Sequence, residues 1–259
     1  MRACLRIALF CMALGLAWPA EAACRLALAL GLDVSGSVDD RDYKLQMHGL
    51  AEALSAPDVQ SAFLTVPETP VALAVYEWSA SSYQRTIIDW RLVDSPGTLD
   101  QITAELRAWA RRPTPEATGL GAALSYGARL IEAGPTCWDR TLDISGDGKN
   151  NDWPVPERLR ASGEIAWLRV NALVIAPAFT GTQDRTDSGV AELSSYFQRV
   201  VIQGPGAFVE VALGFEDYAE AMRRKLLREL STLPLGHLPP PLPTRRADLA
   251  AGTDTKALQ

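Results

Sequence analysis

The chain has 259 residues, 47% of them hydrophobic and 22% charged, with a formal net charge of −6. That balance fits one globular α/β domain of about 200 residues with appendages, and it excludes a collagen, a coiled coil and wholesale disorder. A nucleic-acid binder is excluded as well, because phosphate neutralisation needs a basic face and no long basic run occurs.

Arg2 and Arg6 precede an apolar run from Ile7 to Trp18, and Ala20-Glu21-Ala22 supplies an A-x-A cleavage site. Residues 1–22 therefore read as a secretory signal peptide, with an apolar core too short for a comfortable transmembrane helix. Its removal takes two arginines and one glutamate and leaves the mature chain more acidic. No later apolar run is long enough to span a bilayer, so no stable membrane insertion is expected after cleavage. Cys4 and Cys11 leave with the signal, and Cys24 and Cys137 remain.

Apolar runs then predict buried strands at 26–33, 71–78, 140–145, 166–176 and 199–203, with a more polar one from Tyr83 to Trp90. Helical patterning covers 39–55, 98–110, 118–132, 155–162, 187–197 and 215–231. The alternation implies a mostly parallel sheet, and the hairpin-like spacing of Val71–Trp78 and Tyr83–Trp90 adds one antiparallel edge. Arg223-Arg224-Lys225 reads as the solvated face and last turn of the final helix. Gly204-Pro205-Gly206-Ala207-Phe208 reads as a rigid turn after the last strand. The chain turns Pro-rich from Pro234, so 24–233 is the folded unit and 234–259 a disordered tail.

Asp33-Val34-Ser35-Gly36-Ser37 closes the first strand. An Asp and two alternating hydroxyls place three hard oxygens at the strand's carboxyl end, a set for Mg²⁺ or Mn²⁺ and not for zinc or a nucleophile. Ser37 also fits as N-cap of the next helix, with Asp40 as the capping-box acid. Thr118 opens a helical stretch and fits as an N-cap there, and Asp147-Gly148 fits as a plain turn after the run Thr141-Leu142-Asp143-Ile144-Ser145-Gly146.

Taken in order, strand-D-x-S-x-S, a loop threonine and a strand-Asp-Gly resemble the von Willebrand factor type A domain and its metal-ion-dependent adhesion site. The resemblance runs from about Leu26 to Leu230. It implies a doubly wound, mostly parallel six-stranded sheet in the order 3-2-1-4-5-6, flanked by helices. It also implies a divalent cation, Mg²⁺ or Mn²⁺, held by Asp33, Ser35, Ser37, Thr118 and Asp147. Gly146 departs from the commoner threonine before that Asp and removes a neighbouring hydroxyl. The strands ending in Asp33 and Asp147 would flank the topological switch point, where ligands of open α/β sheets bind. Water or a partner oxygen must complete the cation's shell. The implied function is protein–protein recognition of a partner's Asp or Glu. Within the type A domains the chain resembles a group of exported bacterial proteins, at Asp33–Ser37, Glu77-Trp78, Asp143–Gly148 with Asn150-Asn151, Gly204–Val209 and Lys225–Glu229. That likeness implies a periplasmic or secreted location.

Cys24 and Cys137 precede Asp33 and Asp147 by nearly the same distance. If the two strands are parallel neighbours, the sulfurs start level and a disulfide is expected in an exported chain. Glu77-Trp78 either lines the metal crevice or ends a strand with Trp78 packed on the first helix. Two other function classes stand beside the adhesion reading. A metal-assisted hydrolase would use the same cation with Glu77, Asp143 or Asp152 as base; a structural domain would leave the site empty. Catalytic or organic-cofactor residues are not expected: the histidines are His48 and His237 alone, and neither a complete G-x-S-x-G nor a P-loop occurs.

Overall fold

Ten consecutive buried residues make up β1 (Cys24–Asp33), and their alternation sorts the two faces of the sheet. In the computed structural model, which describes residues 24–176 and 183–231, Leu26, Leu28, Leu30 and Leu32 join one core. Ala27, Ala29 and Gly31 occupy the opposite face. Small residues are required there, since a Cβ on Gly31 would sit 2.6 Å from the Tyr76 ring. The segments read as signal peptide (1–22) and tail (234–259) lie outside the described residues.

Parallel partners flank β1 on both sides, β2 (Val71–Trp78) and β4 (Cys137–Gly146). An antiparallel β3 (Gln84–Val93) forms one edge, and β5 (Arg169–Ala176) and β6 (Val209–Leu213) continue the other side in parallel. The order is β3-β2-β1-β4-β5-β6, the doubly wound six-stranded arrangement that the sequence implies. The leucine face is covered by α1 (Asp40–Ser55), α2 (Pro57–Phe63), α3 (Pro96–Ala108) and α7 (Tyr218–Ser231). The other face carries α4 (Leu120–Glu132), α5 (Pro156–Ser162) and α6 (Gln183–Val200).

Three sequence readings change. The run 199–203 is not a strand, because Leu193, Phe197 and Val200 continue one helical stripe into the core. Only Gln203 pairs, through an isolated antiparallel bridge to Val170. The sixth strand is Val209–Leu213, a short half-exposed edge, so Gly204–Phe208 precedes the last strand. The sequence reading also missed α2, which Pro57 separates from α1. Finally, Arg223-Arg224-Lys225 is not a uniformly solvated face: Lys225 is fully buried.

The Lys225 ammonium lies 2.7 Å from Asp143 Oδ2 and 2.6 Å from Glu229 Oε1. Asn171 donates to Glu229 at 2.8 Å. Burial opposes the Lys225 charge, but Asp143 and Glu229 outweigh it and lift its pKa above the ordinary lysine value. This network fixes α7 to β4 and β5 from within.

At the opposite end of the central strands, Cys24 and Cys137 are register partners. A disulfide joins them, with Cα atoms 4.6 Å apart and a sequence separation of 113. For a loop of that size the chain-entropy model gives about 4–5 kcal/mol. Urea unfolding of the Cys24→Ala/Cys137→Ala variant should show a loss near that figure, and a loss below about 1 kcal/mol would contradict the role assigned to the bridge. Lys225→Met should cost about 3–5 kcal/mol, because it leaves two buried carboxylates without their shared cation. Unchanged stability in that variant would show that the network does not hold α7.

Candidate metal centre

Three loops converge at the carboxyl ends of β1 and β4, and local structure leaves their hydroxyls available. Asp39, not Ser37, caps α1: its carboxylate accepts from the Arg41 and Asp42 N–H groups at 2.7 and 2.8 Å. Likewise α4 starts at Gly119 with no side-chain cap, so Thr118 is not used as one. The capping roles that the sequence allows for Ser37 and Thr118 are therefore not the roles they take.

All five residues singled out from the sequence come together. Asp33 Oδ1 accepts from the Ser35 N–H at 2.9 Å, which curls the loop back over the strand end. Ser35 Oγ lies 3.4 Å from Ser37 Oγ, and Thr118 Oγ1 donates to Ser35 Oγ at 3.3 Å. Ser37 Oγ donates to Asp147 Oδ1 at 2.6 Å. Asp33 and Ser35 are fully buried, Thr118 nearly so, Asp147 half-buried, and Ser37 faces solvent. The set thus opens outward on the Ser37 side.

Electrostatics set this cluster apart. Asp33 Oδ2 is buried and has no hydrogen-bond partner. Desolvation first, and the Asp147 charge second, push the Asp33 carboxyl up to about 7. Desolvation likewise raises Asp147. No cationic side chain relieves either one among the described residues. Gly146 makes room for this arrangement, since a Cβ there would sit 3.3 Å from Asp33 Oδ2.

Two carboxylates and three hydroxyls are a hard-oxygen donor set, and an orphaned buried carboxylate oxygen is what a divalent cation would satisfy. No group of three or more His, Cys, Asp or Glu converges among the described residues, so any cation here relies on the hydroxyls.

Supporting residues that carry no ligand role in the sequence reading are now visible. Asn151 clamps Thr118 twice: its Oδ1 accepts from the Thr118 N–H at 2.7 Å and its N–H donates to the Thr118 carbonyl at 3.0 Å. Gln46 Nε2 donates to the Asp33 carbonyl at 2.9 Å from within the buried face of α1. A polar side chain on the apolar stripe of Tyr43, Met47, Leu50 and Leu54 is the signal that marks Gln46. Asn151 is marked in the sequence only by the family resemblance, which includes Asn150-Asn151 but gives them no role.

The acids considered as bases are each engaged in other bonds. Strand alternation turns Glu77 away from the metal loops, where it accepts from Tyr83 (2.6 Å), Tyr43 (3.1 Å) and Trp109 (3.3 Å). Trp78 packs in the core beneath α4 and not on α1. Asp143 belongs to the Lys225 pair, and Asp152 accepts from the Ser81 N–H at 2.7 Å.

A doubly wound sheet with this D-x-S-x-S loop, loop threonine and strand-end Asp defines a von Willebrand factor type A fold. The chain belongs to the family described as "Protein of unknown function (DUF1194)", whose model matches residues 23–234. No curated protein matches the sequence. Among solved structures the chain is similar to proximal thread matrix protein 1 from the mussel byssus, with 14% identity over 81% of this chain and 47% of that one, TM-score 0.55. The pilus adhesin SpaC from Lactobacillus rhamnosus GG is similar at 12% identity, 80% and 31% coverage, TM-score 0.54. A von Willebrand factor type A protein from Catenulispora acidiphila is similar at 16% identity, 80% and 43% coverage, TM-score 0.53. A further structure of the mussel protein, at 12% identity and TM-score 0.53, has a zinc-occupied MIDAS motif. At such identities the likeness establishes the fold, and the chain spans less than half the length of each of these proteins.

The raised Asp33 pKa has a consequence for cation-free protein. Folded Asp33 keeps a proton to about pH 7 that the unfolded chain releases near 3.8. Its stabilising contribution is complete below the unfolded value and is lost as the pH rises through the folded one. Urea unfolding in EDTA should therefore show stability falling by roughly 2 kcal/mol between pH 5 and pH 7.5. Asp33→Asn should flatten that fall. An equal pH slope in both proteins would contradict the electrostatic reading.

Proposed function

We propose that this domain binds one divalent cation through Asp33, Ser35, Ser37, Thr118 and Asp147, and uses it to hold a carboxylate from a protein partner. The observation that carries this reading is the pair Asp33–Asp147: a fully buried carboxylate oxygen without a partner, beside a second carboxylate, with no protein cation at hand. A bound cation would supply a Lewis-acidic positive centre. The chain's own residues do the rest. Asp33 and Asp147 supply charge, while Ser35, Ser37 and Thr118 supply oxygens without neutralising the ion. Asn151 and Gln46 hold the loops in register. The exposed Ser37 side is where a partner oxygen would complete the shell.

Two carboxylates formally balance a divalent ion, but five protein oxygens do not fill its shell, and a hard carboxylate oxygen of an Asp or Glu is a stronger ligand for the open position than a neutral group. Long-range repulsion between an acidic partner and a chain of net charge −6 is screened beyond about 8–10 Å at physiological ionic strength. The cation reverses it locally.

The metal-assisted hydrolase reading shares the same ion. It needs a base beside it, and Glu77, Asp143 and Asp152 are each engaged in other bonds. We place the protein outside the cytoplasm of a bacterium, periplasmic or secreted. The Cys24–Cys137 disulfide fits an oxidising compartment, and no described helix is long and apolar enough to cross a membrane.

Calorimetric titration with Mg²⁺ and Mn²⁺ should show one site in the micromolar to millimolar range. Zn²⁺ belongs in the same series because the mussel neighbour's motif holds it. Asp33→Ala and Asp147→Ala should each abolish the site, and Thr118→Ala should weaken it while circular dichroism stays unchanged. Full-strength binding in both Asp variants would sink the assignment, and absence of binding in the native protein would favour a purely structural domain.

A further inference from the structure

Beside the cation loops lies a cleft of about 530 Å³ lined by Asp40, Tyr43, Lys44, Trp109, Arg111 and Arg112. It is built from the same loops as the metal centre. Arg111 and Arg112 stand on the segment between α3 and α4 that also carries Thr118, and Asp40 and Lys44 lie on the first turns of α1, directly after Ser37. That segment is laid along the Asp33–Ser37 loop. Thr114 Oγ1 donates to the Val34 carbonyl at 2.9 Å, Gly36 N–H donates to the Glu116 carbonyl at 2.9 Å, and Arg111 donates to the Val38 carbonyl.

The lining holds three cations against one carboxylate. Arg111 is committed, paired with Asp40 at 2.8 Å and lying over the Tyr43 ring at 5.3 Å. Lys44 and Arg112 are exposed and have no ion pair, hydrogen bond or ring contact among the described residues. The aromatic wall is fixed in advance, because Tyr43 and Trp109 both donate to Glu77 Oε2 and Arg85 lies over Trp109 at 4.0 Å. Two uncommitted cations thus border a rigid aromatic cleft on a chain of net charge −6. Complementarity selects an acidic occupant.

We propose that this cleft is the second half of the recognition surface: it takes a second carboxylate from the acidic partner segment whose first carboxylate reaches the cation. This rests on the cation-mediated reading above. The three residues from Ser37 to Asp40 span at most ~10 Å, and Lys44 stands one turn or ~6 Å further along α1. An extended peptide covers that interval in about three to five residues. The partner's recognised segment therefore carries two acids at that spacing, and a lone Asp or Glu leaves Lys44 and Arg112 to water.

The test uses two end-capped peptides, Asp-Ala-Ala-Ala-Asp and Asp-Ala-Ala-Ala-Asn, titrated in Mg²⁺ into ¹⁵N-labelled protein. The Trp109 indole N–H resonance reports on the cleft. The diacid should bind about fivefold tighter, the scale of exposed ion pairing, and should shift that resonance where the monoacid does not. The double variant K44Q/R112Q should bring the two peptides to equal affinity while the single Mn²⁺ site and the circular dichroism spectrum persist. Equal affinities in the native protein, both abolished by EDTA, would overturn the cleft and leave the cation reading standing. A diacid preference that survives EDTA and Asp33→Ala but vanishes in K44Q/R112Q would keep the cleft and overturn the cation's part. Binding of neither peptide would overturn both.

Discussion

Asp33 and Asp147 stand at the ends of two neighbouring parallel strands, the first fully buried and the second half-buried, and neither is paired with a cation among the described residues. A buried carboxylate oxygen without a hydrogen-bond donor is costly, and a second carboxylate beside it adds to the cost. Most of what surrounds this pair lowers that cost or keeps the two groups in place. Ser35 N–H and Ser37 Oγ satisfy one oxygen of each. Gly146 leaves space beside Asp33 Oδ2, and Asn151 and Gln46 brace the loops from outside the cluster. An arrangement that stays unfavourable without a counter-ion, and is nevertheless braced on every side, is understandable when a divalent ion completes it.

The scaffold below is built to keep that arrangement still. β1 and β4 are tied covalently at their starts by Cys24–Cys137 and meet chemically at their ends. On the leucine face, the buried Lys225–Asp143–Glu229 network holds α7 onto the same strand that delivers Asp147. On the alanine and glycine face, close approach lets Tyr76 cross beneath α4 and donate to the Ala123 carbonyl at 2.9 Å. The candidate ligands thereby stand on loops held by a rigid sheet, and the same α3–α4 segment that carries Thr118 also carries the cleft residues Arg111 and Arg112.

Much of this was legible in the sequence, for reasons that differ by element. β1, β2 and β4 are continuous apolar runs that end in a carboxylate or a Gly-bracketed turn, so strand, register and site announce themselves together. The cysteines follow from the same register, because nearly equal distances to the two strand-end acids mean nearly equal levels in the sheet. The last strand failed because periodicity competes with composition: Val200, Val201 and Ile202 look like a strand until Leu193 and Phe197 are read with them as a helical stripe. Lys225 failed because burial of its charge depends on Asp143 arriving from β4, which no local pattern records; Glu229, one helical turn on at i+4, fits an exposed helical pair equally well. Taken singly, Ser37 and Thr118 read as readily as helix caps, and only the joint motif pointed to a ligand role. Asp39 and Gly119 take the helix starts themselves, so neither hydroxyl is spent on a cap.

Anomalous scattering from crystals grown with Mn²⁺ locates the cation without reference to any partner. One peak is expected, enclosed by Asp33, Ser35, Ser37, Thr118 and Asp147 and absent from crystals of Asp33→Ala. A peak seated anywhere else, or no peak in the native protein at saturating Mn²⁺, would contradict that placement.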